Sequence, residues 1–225
     1  MRYISIPLVC LLISCGSDNS QTPSADSASS KVQTVDPMAK MWNDSAVSYY
    51  THSSEPDSAK ATKAAWLVEK GTAVQPEYYL ALCNDLAFLT ASRQFEKALA
   101  VANQLTKLHP KNIDHMLQVA ELLDLTGDSI NANRKYSEAF NDYTIFLKDP
   151  KVNKTTIEMT KSSRAVCMIL LGNETEGKKI IDELYSEHKT DQVGKMIAPL
   201  QNKGRNDILN GLRTHTLFNN CDSAR

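Results

Sequence analysis

The stretch YLALCNDLAFLTASRQFEKALAVANQLTKLHPKN, residues 79–112, is followed directly by IDHMLQVAELLDLTGDSINANRKYSEAFNDYTIF, residues 113–146. Both stretches have 34 residues and they align without a gap, so that Leu89 pairs with Leu123 and Ala98 with Ala132. A third copy, residues 158–191, follows a short insertion. Self-similarity at this period indicates a stack of like units, each packed only on its neighbours.

The repeat columns contain small residues where a helical hairpin needs them. Ala98, Ala132 and Gly177 share one column on the second helix of each unit, where two helices must approach closely, and apolar residues follow four and seven positions later. Gly127 and Gly172 lie at the turn between the helices, where a left-handed backbone is easy for glycine. The pattern therefore predicts a helix–turn–helix in each copy, and no strand pattern occurs in the chain.

These columns resemble the tetratricopeptide repeat. The second copy carries Ala120, Gly127, Asp128, Ala132, Tyr136 and Ala139 in matching positions, and the first carries Phe95, Ala98 and Pro110. An irregular helical bundle is the alternative, and three copies of one pattern favour the repeat. The resemblance implies an all-α protein, an α-solenoid of tetratricopeptide-like helix–turn–helix repeats with about four helix pairs and a capping helix.

Segments on both sides of the clear repeats extend the helical domain to residues 37–215. Residues 37–50 and 57–71 read as a further helix pair. On the first of these helices, five residues are expected to face inward: Met38, Met41, Trp42, Val47 and Tyr50. Residues 192–214 read as one or two closing helices with a break near Pro199 or Gly204. A final amphipathic helix covers the last open face of a solenoid. Residues 216–225 form a C-terminal tail.

The N-terminus has the pattern of a secretory signal. Arg2 precedes an apolar run of eleven residues, Tyr3 to Ile13, which is too short for a membrane-spanning helix of about 20 residues. A buried first element of the domain is the alternative. Residues 16–36 contradict it, because they contain six serines, two valines and no aromatic residue, which is typical of a segment without a packed core.

The sequence Leu12-Ile13-Ser14-Cys15 resembles the lipobox of bacterial lipoproteins. The resemblance implies a signal peptide over residues 1–14, cut before Cys15, and a lipid-anchored tether over residues 15–36. Cys15 would carry a covalent diacylglycerol and an N-acyl chain, and two chains hold a protein stably on a membrane. Gly16 follows the cysteine, which in that family favours transfer to the outer membrane. A soluble secreted protein cut nearby is the alternative.

Composition narrows the classes of partner. Without residues 1–14 the chain has 24 basic and 26 acidic residues, a net charge of −2, which as a whole provides no electrostatic attraction for nucleic acid or for anionic lipid. Cys83, Cys167 and Cys221 have no short spacing. They are interpreted as two small buried residues and a tail residue, and not as a disulfide framework or metal cluster.

Motifs for catalysis or for a cofactor are absent from the sequence. It contains no H-E-x-x-H, C-x-x-C or G-x-S-x-G and no phosphate-binding glycine loop. His109 and His115, with Asp114 between them, are compatible with a metal site, but turn and helix-start roles explain them better. Glu121 and Asp124 share a helix face as a catalytic pair would, although a solvated acidic patch is commoner. We therefore expect no enzyme and no cofactor beyond the lipid on Cys15.

A tetratricopeptide-like stack presents a concave groove lined by the first helix of each unit. The resemblance places six residues there as a partner-binding groove: Asn84, Asp114, Leu117, Gln118, Glu121 and Asp124. The expected function is a protein–protein interaction scaffold, anchored in the bacterial envelope at the outer membrane, that binds an envelope protein or peptide. The alternative is a helical lipoprotein enzyme or accessory subunit that acts on cell-wall or glycan material.

Overall fold

The structure is a computed structural model that describes residues 34–214, so the predicted signal peptide, Cys15, most of the tether and the tail from residue 215 lie outside the described residues. Within that range the chain forms ten α-helices and no strand. The helices are α1 Pro37–His52, α2 Asp57–Val74, α3 Tyr79–Ala91, α4 Phe95–Leu108, α5 Ile113–Leu125, α6 Ser129–Phe146, α7 Lys154–Leu170, α8 Glu174–His188, α9 Gln192–Ile197 and α10 Arg205–Thr214.

From α1 to α9, each helix packs on the next in chain order, which is the arrangement of a solenoid. The all-α solenoid of helix–turn–helix repeats is thereby confirmed. Its core consists of two large apolar clusters, one centred on α1 to α4 and one on α5 to α8, and α5 contributes to both. Cys83 and Cys167 are both buried in these clusters, as predicted.

The turns of the three copies share one backbone conformation. Arg93, Gly127 and Gly172 occupy the same repeat column, and all three have a positive φ, of 61°, 94° and 95°. This left-handed backbone ends the first helix of each hairpin, and it suits glycine because a Cβ crowds the following carbonyl. The first copy adopts the same turn with an arginine in that column.

The column of small residues lies where the two helices of each hairpin meet. Ala98 and Ala132 are fully buried. A Cβ added to Gly177 would lie 2.6 Å from the Ile169 side chain and 2.8 Å from the Ala165 carbonyl oxygen. Real Cβ atoms do not approach so closely, so α7 and α8 pack at a distance that only glycine permits there.

The flanking helices differ from the expectation in one respect. Met38 and Met41 are exposed, at 56% and 51%, and the prediction that they face inward is wrong. The buried face of α1 instead carries Ala39, Asn43 and Ala46. Small side chains there let α1 approach α2, and no helix of the described chain precedes α1 to cover its other face.

At the other end, the chain turns back after the last hairpin. The predicted break between closing helices falls at a 3-10 turn, Ala198–Leu200, and at the loop that precedes α10. Helix α10 then packs against α5, and its Ile208, Leu209 and Leu212 belong to the same apolar cluster as α5 and α7. In residues 34–214 no helix combines the length and the apolar character needed to cross a membrane.

Candidate binding surface

The six residues of the predicted groove lie on the first helices of two hairpins, α3 and α5. Five of them are buried, with exposures of 8% or less, and Asp114 is partly exposed: the buried five are Asn84, Leu117, Gln118, Glu121 and Asp124. Partner binding by these residues stays a prediction, but their environment is not the open groove expected from the repeat register. What surrounds these side chains differs from one residue of the set to the next.

Asn84 is the member of the set that borders open space. Its side-chain NH2 group donates to the side-chain oxygen Oδ1 of Asn43 at 2.8 Å, which joins α3 to α1. The pair lies at the floor of a cleft of about 730 Å³ between these helices. The other side chains of this α1–α3 cleft are Asp44, Val47, Ser48, Thr51, His52 and Leu80.

The middle of the set carries two acidic side chains, the partly exposed Asp114 and the buried Glu121. The Tyr143 hydroxyl donates to the Asp114 carboxylate at 2.5 Å, and burial raises the pKa of Asp114 in spite of that bond. Burial and then the nearby Asp114 charge raise the pKa of Glu121 to about 8. Because a buried carboxylate without a cation is costly, Glu121 keeps its proton at neutral pH.

Gln118 and the two predicted histidines form a second polar group. The Gln118 side-chain oxygen lies 3.0 Å from Nδ1 of His115, whose Nε2 lies 3.2 Å from the Tyr79 hydroxyl. The ring of His109 packs edge-on against Tyr79 at 4.4 Å between centroids. Both nitrogens of His115 therefore have neighbours within the protein. Across residues 34–214 no group of three His, Cys, Asp or Glu side chains has the arrangement of a metal site.

Asp124 is covered by the C-terminal helix. The guanidinium group of Arg205, at the start of α10, forms an ion pair with the Asp124 carboxylate. The hydroxyl of Ser129 donates to the same carboxylate at 3.1 Å, and the backbone N–H of Arg205 donates to Glu174 at 3.0 Å. These polar contacts and the apolar side chains of α10 fill the surface of α5 where the groove was expected.

A cluster that sequence reasoning missed joins α7, α8 and α9. His188 Nδ1 lies 2.6 Å from the Asp191 carboxylate, and its Nε2 lies 3.1 Å from the carboxylate of Glu158, which is nearly buried. The hydrogen bond to Asp191 raises the pKa of His188. Asp191 also accepts from the backbone of Gly194 and so caps α9. The spacing of His188 and Asp191 is visible in the sequence, but the approach of Glu158 depends on the packing of α7 against α8.

Comparison with known proteins assigns neither a family nor a function to the chain. No family model, curated protein or solved structure matches the chain. The class defined by the fold is therefore an all-α solenoid of helix–turn–helix repeats, with an open α1–α3 cleft at one end and a folded-back helix at the other.

Proposed function

We propose that this protein is a lipid-anchored scaffold of the bacterial envelope that binds a segment of another envelope protein. The observation that carries the proposal is the α1–α3 cleft, which remains open while α10 covers the surface of α5. The proposal puts the binding site at the N-terminal end of the solenoid. Of the six predicted residues, it includes Asn84.

The lining of the cleft suits a polypeptide. Val47 and Leu80 provide apolar contact, and Leu80 is 40% exposed. Ser48 and Thr51 provide hydroxyl groups and Asp44 a carboxylate. Peptide segments present alternating apolar side chains and backbone donors and acceptors, so a mixed lining of this kind can hold one. Phe, Trp and Tyr side chains, which would favour a glycan, are not among the residues that line the cleft.

The anchor rests on the lipobox resemblance at Cys15 and on the polar segment after it. We propose signal-peptide cleavage before Cys15, a diacylglycerol on its sulfur and an acyl chain on its amine, with the outer membrane as the destination. A near-neutral surface is consistent with a partner other than nucleic acid.

Metabolic labelling with a fatty-acid analogue tests the anchor. Native protein is expected to be labelled and to fractionate with membranes, whereas Cys15→Ala is expected to lose the label. Cys10→Ala is the matched control, because it removes the other cysteine of the N-terminal segment and is expected to leave labelling unchanged. Equal labelling of the native protein and Cys15→Ala would refute the anchor.

Site-specific photocrosslinking in intact cells tests the cleft. A photoreactive residue at Leu80 is expected to give a discrete crosslinked band, which Asn84→Arg in the same chain abolishes. The control position is Ile130 on α6, which is 86% exposed and lies outside the cleft. A band at Ile130 of equal intensity, or a Leu80 band that persists with Asn84→Arg, would place the partner elsewhere.

A further inference from the structure

The first hairpin has an unusual surface for a protein in water. Five of the nine large apolar side chains that are exposed in the described part of the chain lie on it or directly before it: Val35, Met38, Met41, Trp66 and Val74. Met38, Met41 and Trp42 share one face of α1, because residues three and four apart lie side by side on a helix. That face lies beside the face of small residues that packs on α2.

Two lysines connect the aromatic side chains of this surface. The Lys70 ammonium lies 3.8 Å from the ring centroid of Trp66 and 4.6 Å from that of Trp42, so it bridges α2 and α1. The Lys63 ammonium lies 4.1 Å from the Trp66 ring. We call Met38, Met41, Trp42, Lys63, Trp66 and Lys70 the Trp–Lys patch.

The charge of the Trp–Lys patch is positive. Lys63 and Lys70 form no ion pair with a carboxylate among residues 34–214. The nearest acidic residues on the same helices are engaged elsewhere, since Asp44 pairs with Lys40 at 2.5 Å and Glu69 with Lys97 at 3.1 Å. The patch thus combines exposed apolar area with two cations that have only aromatic partners.

The chain enters the domain beside this patch. The side chain of Gln75, at the end of α2, accepts from the Asp36 backbone at 2.9 Å and donates to the Thr34 carbonyl oxygen at 3.3 Å. These bonds hold residues 34–36 against the first hairpin. Nineteen positions separate Thr34 from Cys15, and a chain of that length reaches at most about 65 Å. An anchor at Cys15 would therefore hold this hairpin near the membrane.

We propose that the Trp–Lys patch docks on the anionic phospholipid surface of the membrane that holds the anchor. Tryptophan and methionine side chains enter the headgroup region, where an indole has both apolar contact and water, and the two ammonium groups pair with lipid phosphates. The inference rests on the proposed anchor. A second copy of this chain fits less well, because a two-fold contact would bring the same two lysines of each copy together.

Tryptophan fluorescence tests this contact directly, because the chain has only two tryptophans and both lie in the patch. The purified full-length mature protein is reconstituted into vesicles of phosphatidylcholine and phosphatidylglycerol with brominated acyl chains. We expect emission at shorter wavelength and strong quenching by bromine. Vesicles of brominated phosphatidylcholine alone are expected to quench less.

Charge-reversal variants test whether membrane contact depends on the lysines of the patch or on lysines elsewhere on the surface. Lys63→Glu with Lys70→Glu is expected to abolish the wavelength shift and the quenching. Lys148→Glu with Lys151→Glu is the matched control, since both residues are exposed and both tryptophans remain. Quenching that is the same in the two double variants, or absent in the native protein, would overturn the docking. A concentration-dependent dimer of the native protein, lost on reversal of Lys63 and Lys70, would also overturn it in favour of a second copy.

The mass of the purified protein shows whether it carries acyl chains, so failure of the anchor proposal can be distinguished from failure of the docking proposal. If the protein carries acyl chains but shows no quenching, the anchor is supported and the docking of the patch is refuted. If the protein lacks acyl chains but its fluorescence is quenched by added vesicles, the docking of the patch is supported and the anchor is refuted.

Discussion

Over α5 the inner surface of the solenoid is covered by the last helix of the described chain, whereas at the N-terminal end the first hairpin leaves apolar side chains in solvent. Helix α10 buries Ile208, Leu209 and Leu212, while Met38 and Met41 of α1 are exposed. Inner repeats cover each other, so only the ends of a solenoid need a separate cover. The difference indicates that the chain itself occupies the inner surface at α5, and that the first hairpin is available for contacts with another surface.

The largest expected effect comes from shortening one apolar side chain at each end. Leu212→Ala removes a side chain that is 4% exposed, and we expect it to lower the free energy of unfolding by about 3–4 kcal/mol. Met38→Ala removes one that is 56% exposed and is expected to change it by less than about 0.5 kcal/mol. Urea unfolding of both variants measures the difference. Equal losses would mean that the two ends are equally packed.

A second comparison uses a buried glycine at each end. A Cβ at Gly194 would lie 1.7 Å from the His188 carbonyl oxygen, so Gly194→Ala must displace the backbone that leads into α9. We expect a loss of about 2–3 kcal/mol in the free energy of unfolding. In Gly71→Ala the Cβ would lie 3.0 Å from the Ala39 carbonyl oxygen, and the gain in helix propensity offsets the crowding. A Gly71→Ala loss as large as that of Gly194→Ala would contradict this comparison.

The buried carboxyl group of Glu121, on α5, predicts that the stability of the protein depends on pH. Burial raises the pKa of Glu121 from 4.5 to about 8. Between these values the unfolded chain ionises Glu121 while the folded chain keeps the proton, so the free energy of unfolding falls as pH rises and the fall ends above about pH 8.

Glu121→Gln is expected to remove this pH dependence. Between pH 5 and pH 8 the free energy of unfolding should change by about 2 kcal/mol less in this variant than in the native protein. A displaced pKa contributes about 1.4 kcal/mol per pH unit, and local relaxation around the charged group reduces the total. Urea midpoints across this range measure it. Glu77→Gln, at an exposed residue of the other half, removes the same charge and serves as control. An unchanged pH profile in Glu121→Gln would show that the site is hydrated.

The smallest effect concerns the turn column, where the N-terminal copy has Arg93 and the later copies have Gly127 and Gly172. Arg93 has φ of 61°, a conformation that costs a side-chain-bearing residue about 1–2 kcal/mol. Arg93→Gly removes this cost, but glycine loses more chain entropy on folding, so the expected net stabilisation is at most about 1 kcal/mol. Gly127→Arg is the reciprocal variant and is expected to destabilise it. A destabilising Arg93→Gly would mean that the arginine side chain makes stabilising contacts that outweigh the strain.

Much of the fold was predictable because its signals are local. The small residues Ala98, Ala132 and Gly177 and the turn glycines recur at fixed positions, and each reports a close approach or a left-handed turn within one hairpin. The positive φ of Arg93 was also accessible from the sequence, since the alignment puts it in the column of Gly127 and Gly172. The inward orientation predicted for Met38 and Met41 was wrong because an apolar side chain on a terminal helix has no assured neighbour.

The sequence by itself determined the repeat length, the helix pairs and the positions of the turns, because each depends on residues close together in the chain. Only the tertiary structure decided which part of the inner surface stays open. Arg205 reaches Asp124 across 81 positions, and this contact depends on how the chain turns after α9. Helical periodicity identifies the apolar face of α10, but not the surface that this face covers. The environment of Glu121 and Asp124 therefore followed from packing, whereas their position on the first helix of a repeat followed from the sequence.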